Sequence, residues 1–155
     1  MAMRDVRELF VDTNVLIYAT NELSVWYPSA TKSLQTARQL GIDLILSPQI
    51  LREYLAAATR LSISGSGLSV PKILENFHTF QAEFRLVEDN RLVLKTLGDL
   101  LEKISVSGKQ IHDANLVATM LTHGIRHLLT HNTGDFTRFS AFITVLPLEV
   151  IENEP

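Results

Sequence analysis

The chain has 155 residues, one domain's length, and its 46% hydrophobic and 20% charged residues are ordinary globular composition rather than disorder. It contains no cysteine, which excludes a disulfide scaffold, thiol catalysis and cysteine-bound zinc, and which suits a reducing cytoplasm. A formal charge of −3 argues against a general nucleic-acid binder held by basic residues.

Residues 8–12 (ELFVD) read as a short buried strand ending on Asp12, followed by a helix over about 14–20. Asp12 interrupts the only apolar run near the start, and Arg4 and Arg7 are balanced by Asp5 and Glu8, which is not the pattern of a signal peptide. No later run approaches the roughly 18–20 apolar residues of a membrane span. The expectation is a soluble cytoplasmic protein with no membrane role.

Pro28 opens and Gly41 closes a helix over 28–41, and DLILS (43–47) is a second strand. PQILREYLAAATRL (48–61) reads as a helix, SISGSGLS (62–69) as a loop, 70–84 as a helix and RLVE (85–88) as a strand. The stretch 90–105 carries Val93, Leu97, Leu100, Leu101 and Ile104 at helical spacing. A further helix spans 109–124, with Ile111, Ala114, Val117, Ala118 and Leu121 as its inner face. IRHLLT (125–130) is the fourth strand, 131–139 a loop or short helix, and FITVLP (142–147) the last strand. Short strands alternating with helices predict an α/β fold with a mainly parallel sheet covered on both faces. No repeat or linker divides it, so one domain is expected over 1–150 with a short tail at 151–155.

Ligands of open parallel sheets bind beyond the carboxyl ends of the strands. Asp12 closes the first strand there, Asp135 follows the fourth, and Glu53 lies early in the helix after the second. Asp113 sits in the first turns of the helix leading to the fourth strand, and topology alone leaves its side of the sheet open. Each acid taken singly has a plainer role: Asp12 as a helix cap, Glu53 in solvent or an ion pair, Asp113 favouring a helix N-terminus, Asp135 capping a turn. Taken together they need compensation. Two unit charges about 4 Å apart repel by roughly 4 kcal/mol at an effective dielectric near 20. Mg²⁺ or Mn²⁺ would supply that compensation and would support metal-dependent phosphodiester hydrolysis.

The other polar candidates read first as structural: His112 as a helix-surface histidine beside an acid and His131 as a loop residue, with substrate contact the alternative for each. Trp26 and Tyr27 read as packing rings, with stacking on bases the alternative. His123 and His127 are separated by Gly124, which ends their helix and argues against a zinc pair. Gly65-Ser66-Gly67 matches neither the dinucleotide nor the Walker phosphate-loop pattern.

FVDTNVLIYA (10–19), LREYLAAATR (51–60), GKQIHDANLVATMLTHGI (108–125) and LLTHNTGDFTRF (128–139) together resemble the PIN-domain nucleases, above all the short VapC-type toxins of toxin–antitoxin pairs. The resemblance implies a three-layer α/β/α sandwich and a Mg²⁺- or Mn²⁺-dependent endoribonuclease. It implies Asp12, Glu53, Asp113 and Asp135 as the catalytic and metal-binding cluster, with Asp12 and Asp113 the direct ligands, and so puts Asp113 in the site. Thr13, Asn14, Thr130 and Asn132 match the family's supporting polar positions, where hydroxyl and amide groups hold the carboxylates or ligating waters. An RNA substrate, a cognate antitoxin and a homodimer follow from the same resemblance. The Ser/Gly loop at 62–69 and the long helix after it depart from the pattern and bear on substrate and partner choice.

Two rivals belong to other classes. An aspartyl-phosphate phosphatase would need Asp-x-Asp, and Asp12-Thr13-Asn14 lacks the second acid; a receiver domain would need a lysine after its last strand, and none follows Lys109. A catalytically silent PIN-like module that binds RNA or a partner would be marked by loss of the acids, all four of which are present.

Overall fold

Leu9, Phe10 and Val11 are wholly inaccessible to solvent in the computed structural model, which describes residues 3–151. They belong to β1 (Glu8–Val11), the middle strand of a five-stranded, all-parallel sheet. A strand flanked on both edges and covered on both faces has no solvent side, so its sequence is a continuous apolar run rather than an alternation.

From β1 the chain passes through α1 (Thr13–Ala19) and α2 (Tyr27–Gln39) to β2 (Asp43–Leu46), then α3 (Pro48–Ile63), α4 (Val70–Glu83) and β3 (Arg85–Leu86). It continues through α5 (Arg91–Lys103) and α6 (Gln110–Thr122) to β4 (His127–Leu129), a 3-10 helix over Thr133–Phe139 and β5 (Thr144–Leu146). The strand order is β3-β2-β1-β4-β5. Phe10 stands beside Ile45 of β2 and Leu128 of β4, which fixes the register at the centre.

The helices α1 to α4 pack on one another, whereas α5 packs along α6. Right-handed crossovers from β1 to β2 and from β2 to β3 put the first group on one face. The return from β3 to β4 reverses direction and puts the second pair on the other. The result is the expected three-layer α/β/α sandwich. Because the order reverses beside β1, the carboxyl ends of β1 and β4 form a switch-point crevice. Asp12 N–H donates to Leu129 C=O at 3.0 Å and Thr130 N–H to Leu146 C=O at 3.1 Å, so the pairing runs to the lip of that crevice.

Element ends differ from the sequence expectation by at most two residues. Asp12 is the cap of α1 rather than the last residue of β1, and β3 keeps two residues of the expected four. One more ladder bond, Val87 N–H to Leu46 C=O at 3.0 Å, follows β3. α3 runs through Ile63 before the Ser/Gly segment turns it. α2 and α6 end alike: Gly41 and Gly124 both have φ of +72°, and the residues after them, Ile42 and Ile125, donate back to Ala37 and Met120 at 2.9 Å. Only glycine adopts that turn without strain. α6 is buried continuously from Leu116 to Met120, while Ile111 and Leu121 of its expected inner face are half-exposed. The packing of α5 along it accounts for burial on a second side. Among the described residues no helix is long and apolar enough to cross a membrane. Residues 152–155 of the expected C-terminal tail lie outside the described residues.

Candidate active site

The crevice at the switch point is an open cleft of about 300 Å³. Asp12, Thr13, Asn14, Glu53, Asp113, Asn132 and Asp135 line it, with Ile17, Tyr18, Ala57 and Phe136 as its apolar wall. All four acids singled out from the sequence therefore meet in one cleft. Thr130 stands directly behind it.

Asp12 leaves β1 in extended conformation (φ −75°, ψ 156°) and is 8% exposed. Its Oδ1 accepts the Thr13 N–H at 2.8 Å, and its Oδ2 accepts the Thr130 hydroxyl at 2.8 Å and the Asn14 amide at 3.3 Å. It is thus a helix cap as well as a site residue. Thr130 Oγ1 in turn accepts from Asn14 Nδ2 and from the Asn132 N–H, both at 3.1 Å. Asn14 Oδ1 accepts the His131 N–H at 3.0 Å. The four expected supporting residues form one network: Asn14, Thr130 and the Thr13 main chain bond this carboxylate, and Asn132 joins through Thr130. Thr13 turns the other way and donates its hydroxyl to Glu53 Oε2 at 2.8 Å.

Asp113 lies in the first turn of α6. The question left by topology is answered by a contact across the sheet's end: Gln49 of α3 donates to the His112 carbonyl at 2.8 Å, so the start of α6 lies at the strand-end side. Asp135 lies in the first turn of the 3-10 helix, its N–H bonded to the Asn132 carbonyl at 3.1 Å.

Electrostatics tie the four together. Burial pushes the Asp12 carboxyl up to about 6; the donors Thr130 and Thr13 pull it back, and Glu53 and Asp135 push it further up. Asp113 is likewise raised to about 6, first by burial and then by Asp12, Asp135 and Glu53, against a lowering by Arg138. Two carboxylates held well above 3.8 by desolvation and by like charge are a cluster short of positive charge.

Gln49 and Asn115 were not among the expected site residues. Gln49 Nε2 donates to Glu53 Oε1 at 2.9 Å as well as to the His112 carbonyl. Asn115 Nδ2 donates to Gln49 Oε1 at 2.8 Å and to Asp89 Oδ2 at 3.1 Å. Glu53 is thereby gripped at both oxygens, by Thr13 and by Gln49. The one signal in the sequence was spacing: Gln49 is four residues before Glu53 on a helix, where side chains meet.

The histidines divide. His112 has an exposed side chain and serves the site only through its carbonyl. His131 is half-buried, with its ring edge-on to Tyr18 at 5.5 Å and 4.2 Å from the Trp26 ring. Trp26 is 41% exposed, so its packing is partial. His123 bonds the Glu88 carbonyl at 2.8 Å.

The donors lining the cleft are all hard oxygens, from carboxylates, a hydroxyl and side-chain amides, with no thiol or imidazole. That chemistry fits Mg²⁺, Mn²⁺ or Ca²⁺ rather than zinc or copper. Among the described residues no three His, Asp or Glu side chains are gathered tightly enough to grip one ion together. An ion held directly by one or two carboxylates, with water completing its shell, is the arrangement that Mg²⁺ favours.

No curated protein matches the chain. Among solved structures it is similar to a chain of VapBC2 from Rickettsia felis bound to a promoter DNA fragment, with a TM-score of 0.68 and 16% identity over 92% of this chain and 99% of that one. It is similar to VapC20 of Mycobacterium tuberculosis, a toxin that cleaves the sarcin–ricin loop, with a TM-score of 0.61 and 16% identity over 77% and 86%. VapBC-1 from nontypeable Haemophilus influenzae gives 0.64 and 16% over 90% and 97%. At such identities these likenesses speak for the fold. The family model for the PIN domain matches residues 9–141, a span that begins in β1 and takes in all four acids, and the chain belongs to the PIN domain family.

Proposed function

We propose that this chain is a divalent-metal-dependent endoribonuclease, the toxin of a type II toxin–antitoxin pair. The observation that carries the reading is the meeting of Asp12, Glu53, Asp113 and Asp135 in one cleft, with two of the four pushed up to about 6 by burial and mutual repulsion. Asp12, Glu53, Asp113 and Asp135 would hold Mg²⁺ or Mn²⁺, with Asp12 and Asp113 as its direct ligands. When bound, such an ion acidifies a coordinated water and offsets charge on a phosphodiester.

The protein's own part is preorganisation. Thr130, Asn14 and the Thr13 N–H fix the orientation of the Asp12 carboxylate. Thr13 and Gln49 hold Glu53 toward the cleft by both oxygens. Asn132 supports Thr130 through its main-chain N–H.

The toxin assignment draws on the neighbours, several of which are toxin–antitoxin complexes, among them FitAB and VapBC assemblies. On this reading the chain works in the cytoplasm, is neutralised by an antitoxin and forms a homodimer. The test is cleavage of single-stranded RNA. Cutting is expected with Mn²⁺ or Mg²⁺, little with Ca²⁺, whose larger and looser shell places water poorly, and none with EDTA or with Asp12→Asn. Undiminished cutting after exhaustive chelation, absent from an Asp12→Asn preparation, would defeat the metal mechanism.

A further inference from the structure

A second cleft, of about 370 Å³, lies next to the acidic one. It is lined by Trp26, Ser29, His131 and Thr133 and by the segment 147–151. The two clefts share a wall. Asn132 faces the acids while its neighbours His131 and Thr133 face the second cleft, and Tyr18, which lines the first, meets the His131 ring edge-on at 5.5 Å. The His131 ring in turn lies 4.2 Å from that of Trp26, tilted by 44°. Three aromatic rings therefore run in contact from the acidic cleft into its neighbour.

The assembly is held in place at both ends. The His131 N–H donates to Asn14, and Asn14 donates to Asp12. Trp26 caps α2: its N–H donates to Ser24 Oγ at 3.1 Å, and its carbonyl accepts the Ala30 N–H at 2.9 Å. Yet Trp26 lines the cleft and is 41% exposed as a residue, so it is not closed off by its contact with His131. The polar groups around it are the hydroxyls of Ser29 and Thr133, the His131 imidazole and the Glu149 carboxylate, which accepts the Thr36 hydroxyl at 3.1 Å. Leu23 and Val25, the most exposed apolar residues of the same loop, line neither cleft.

We propose that Trp26, backed by His131 and Tyr18, is a stacking platform for a nucleobase of single-stranded RNA flanking the phosphate bound at the acids. The proposal rests on the ribonuclease reading above and names the subsite that gives it substrate grip. A chain of net charge −3 gains little from the release of counterions by basic residues, so stacking on aromatic faces is a general source of affinity for a single strand beyond the metal's hold on its phosphate.

Trp26 is the only tryptophan in the chain, so it reports on itself. With Asp12→Asn protein, in which cutting is expected to be lost, a short mixed-sequence RNA in Mg²⁺ should quench the intrinsic emission saturably. In the cutting protein, Trp26→Ala should raise KM roughly 5- to 150-fold, the range for loss of one stacked base, and lower kcat much less. Trp26→Phe keeps a ring and should restore KM to within a few-fold of the unmodified chain. RNA that is cut with metal while Trp26→Ala keeps the original KM, or that binds without changing the emission, overturns the platform and leaves the ribonuclease reading standing. Emission that follows the chain's own concentration and ignores RNA makes this face a contact between copies, and overturns it too. Failure to cut or bind any RNA defeats the ribonuclease reading itself, and the platform with it.

Discussion

Thr130 donates its hydroxyl hydrogen to Asp12 at 2.8 Å and so joins the end of β4 to the end of β1 at the point where the strand order reverses. Both groups are buried, and Thr130 is completely so. The hydroxyl gives its one hydrogen to the carboxylate and accepts from Asn14 and Asn132, which uses its full bonding capacity. It is the hub of the network that aims Asp12.

An order of severity follows from that geometry. Asp12→Ala and Asp113→Ala should abolish RNA cleavage. Thr130→Ala should lower it about 10–100-fold, the usual cost of losing a group that orients a metal ligand, and weaken Mn²⁺ binding to match. His112→Ala should retain most activity, because the site uses only that residue's carbonyl. Steady-state kinetics on a labelled RNA separates the ranks; a His112→Ala loss equal to that of Asp12→Ala would point instead to acid–base chemistry by the imidazole.

Gln49 should matter almost as much as Thr130. Its amide is buried and bonds Glu53, the His112 carbonyl and Asn115 at once. Gln49→Ala removes three hydrogen bonds to part-buried partners, and a typical intramolecular hydrogen bond contributes about 0.5–1.5 kcal/mol. We expect that order of destabilisation by urea unfolding and roughly tenfold lower activity. Gln49→Glu should be worse, since it sets a like charge beside Glu53. Wild-type stability and rate in both variants would mean that Glu53 does not need this grip.

The contrast between Asp12 and Gln49 explains what a sequence carries. Asp12 is legible because it breaks an apolar run, and a carboxylate among Phe10, Val11, Val15 and Leu16 demands a partner. Gln49 and Asn115 break no pattern: an amide on a helix is unremarkable until the other end of its hydrogen bond is known, and these bonds join α3 to α6. The parallel sheet was legible for the same reason that β1 was, since a continuous apolar run suits a strand covered on both faces; the order of its strands was not. Strand ends were legible only in part. Asp12 and Ser47 are polar residues directly after apolar strands, and polarity alone does not separate a last ladder residue from a helix cap. The pairing of Trp26 with His131 joins two distant loops and has no local signature at all.

Ser47 yields a prediction against the usual rule. It occupies the cap position of α3 in extended conformation (φ −127°, ψ 165°), where replacement of serine by alanine ordinarily costs about 0.5–2 kcal/mol. Here the hydroxyl makes no capping bond, and its oxygen is buried with no hydrogen-bond partner among the described residues. Removing an unsatisfied buried polar group relieves a penalty. Ser47→Ala should therefore be neutral or stabilising by up to about 1 kcal/mol in thermal unfolding. A clear loss of stability would show that the hydroxyl is bonded in solution.

The last expectation links pH, metal and stability. Asp12 and Asp113 hold their protons to about 6 in the folded chain against 3.8 ordinarily, for both through burial first and neighbouring carboxylates after it. Between about pH 4 and 6 the folded state thus binds more protons than the unfolded state, and stability falls as pH rises through that window. This contribution is fully present below 3.8 and gone once both groups have ionised above about 6. In EDTA, then, the difference in Tm between the wild-type chain and Asp113→Asn should open as pH rises from 5 to 7.5, with the asparagine variant the more stable by a few degrees, on the order of 1 kcal/mol for a chain of this size. Saturating Mn²⁺ should reverse the ranking, because the metal needs the ionised carboxylates and stabilises by mass action only the chain that binds it. The metal-induced rise in the wild-type Tm should accordingly shrink as pH drops below 6, where protons and Mn²⁺ compete for the same oxygens. An equal rise in both proteins, or one that does not change with pH, would remove Asp113 from the site.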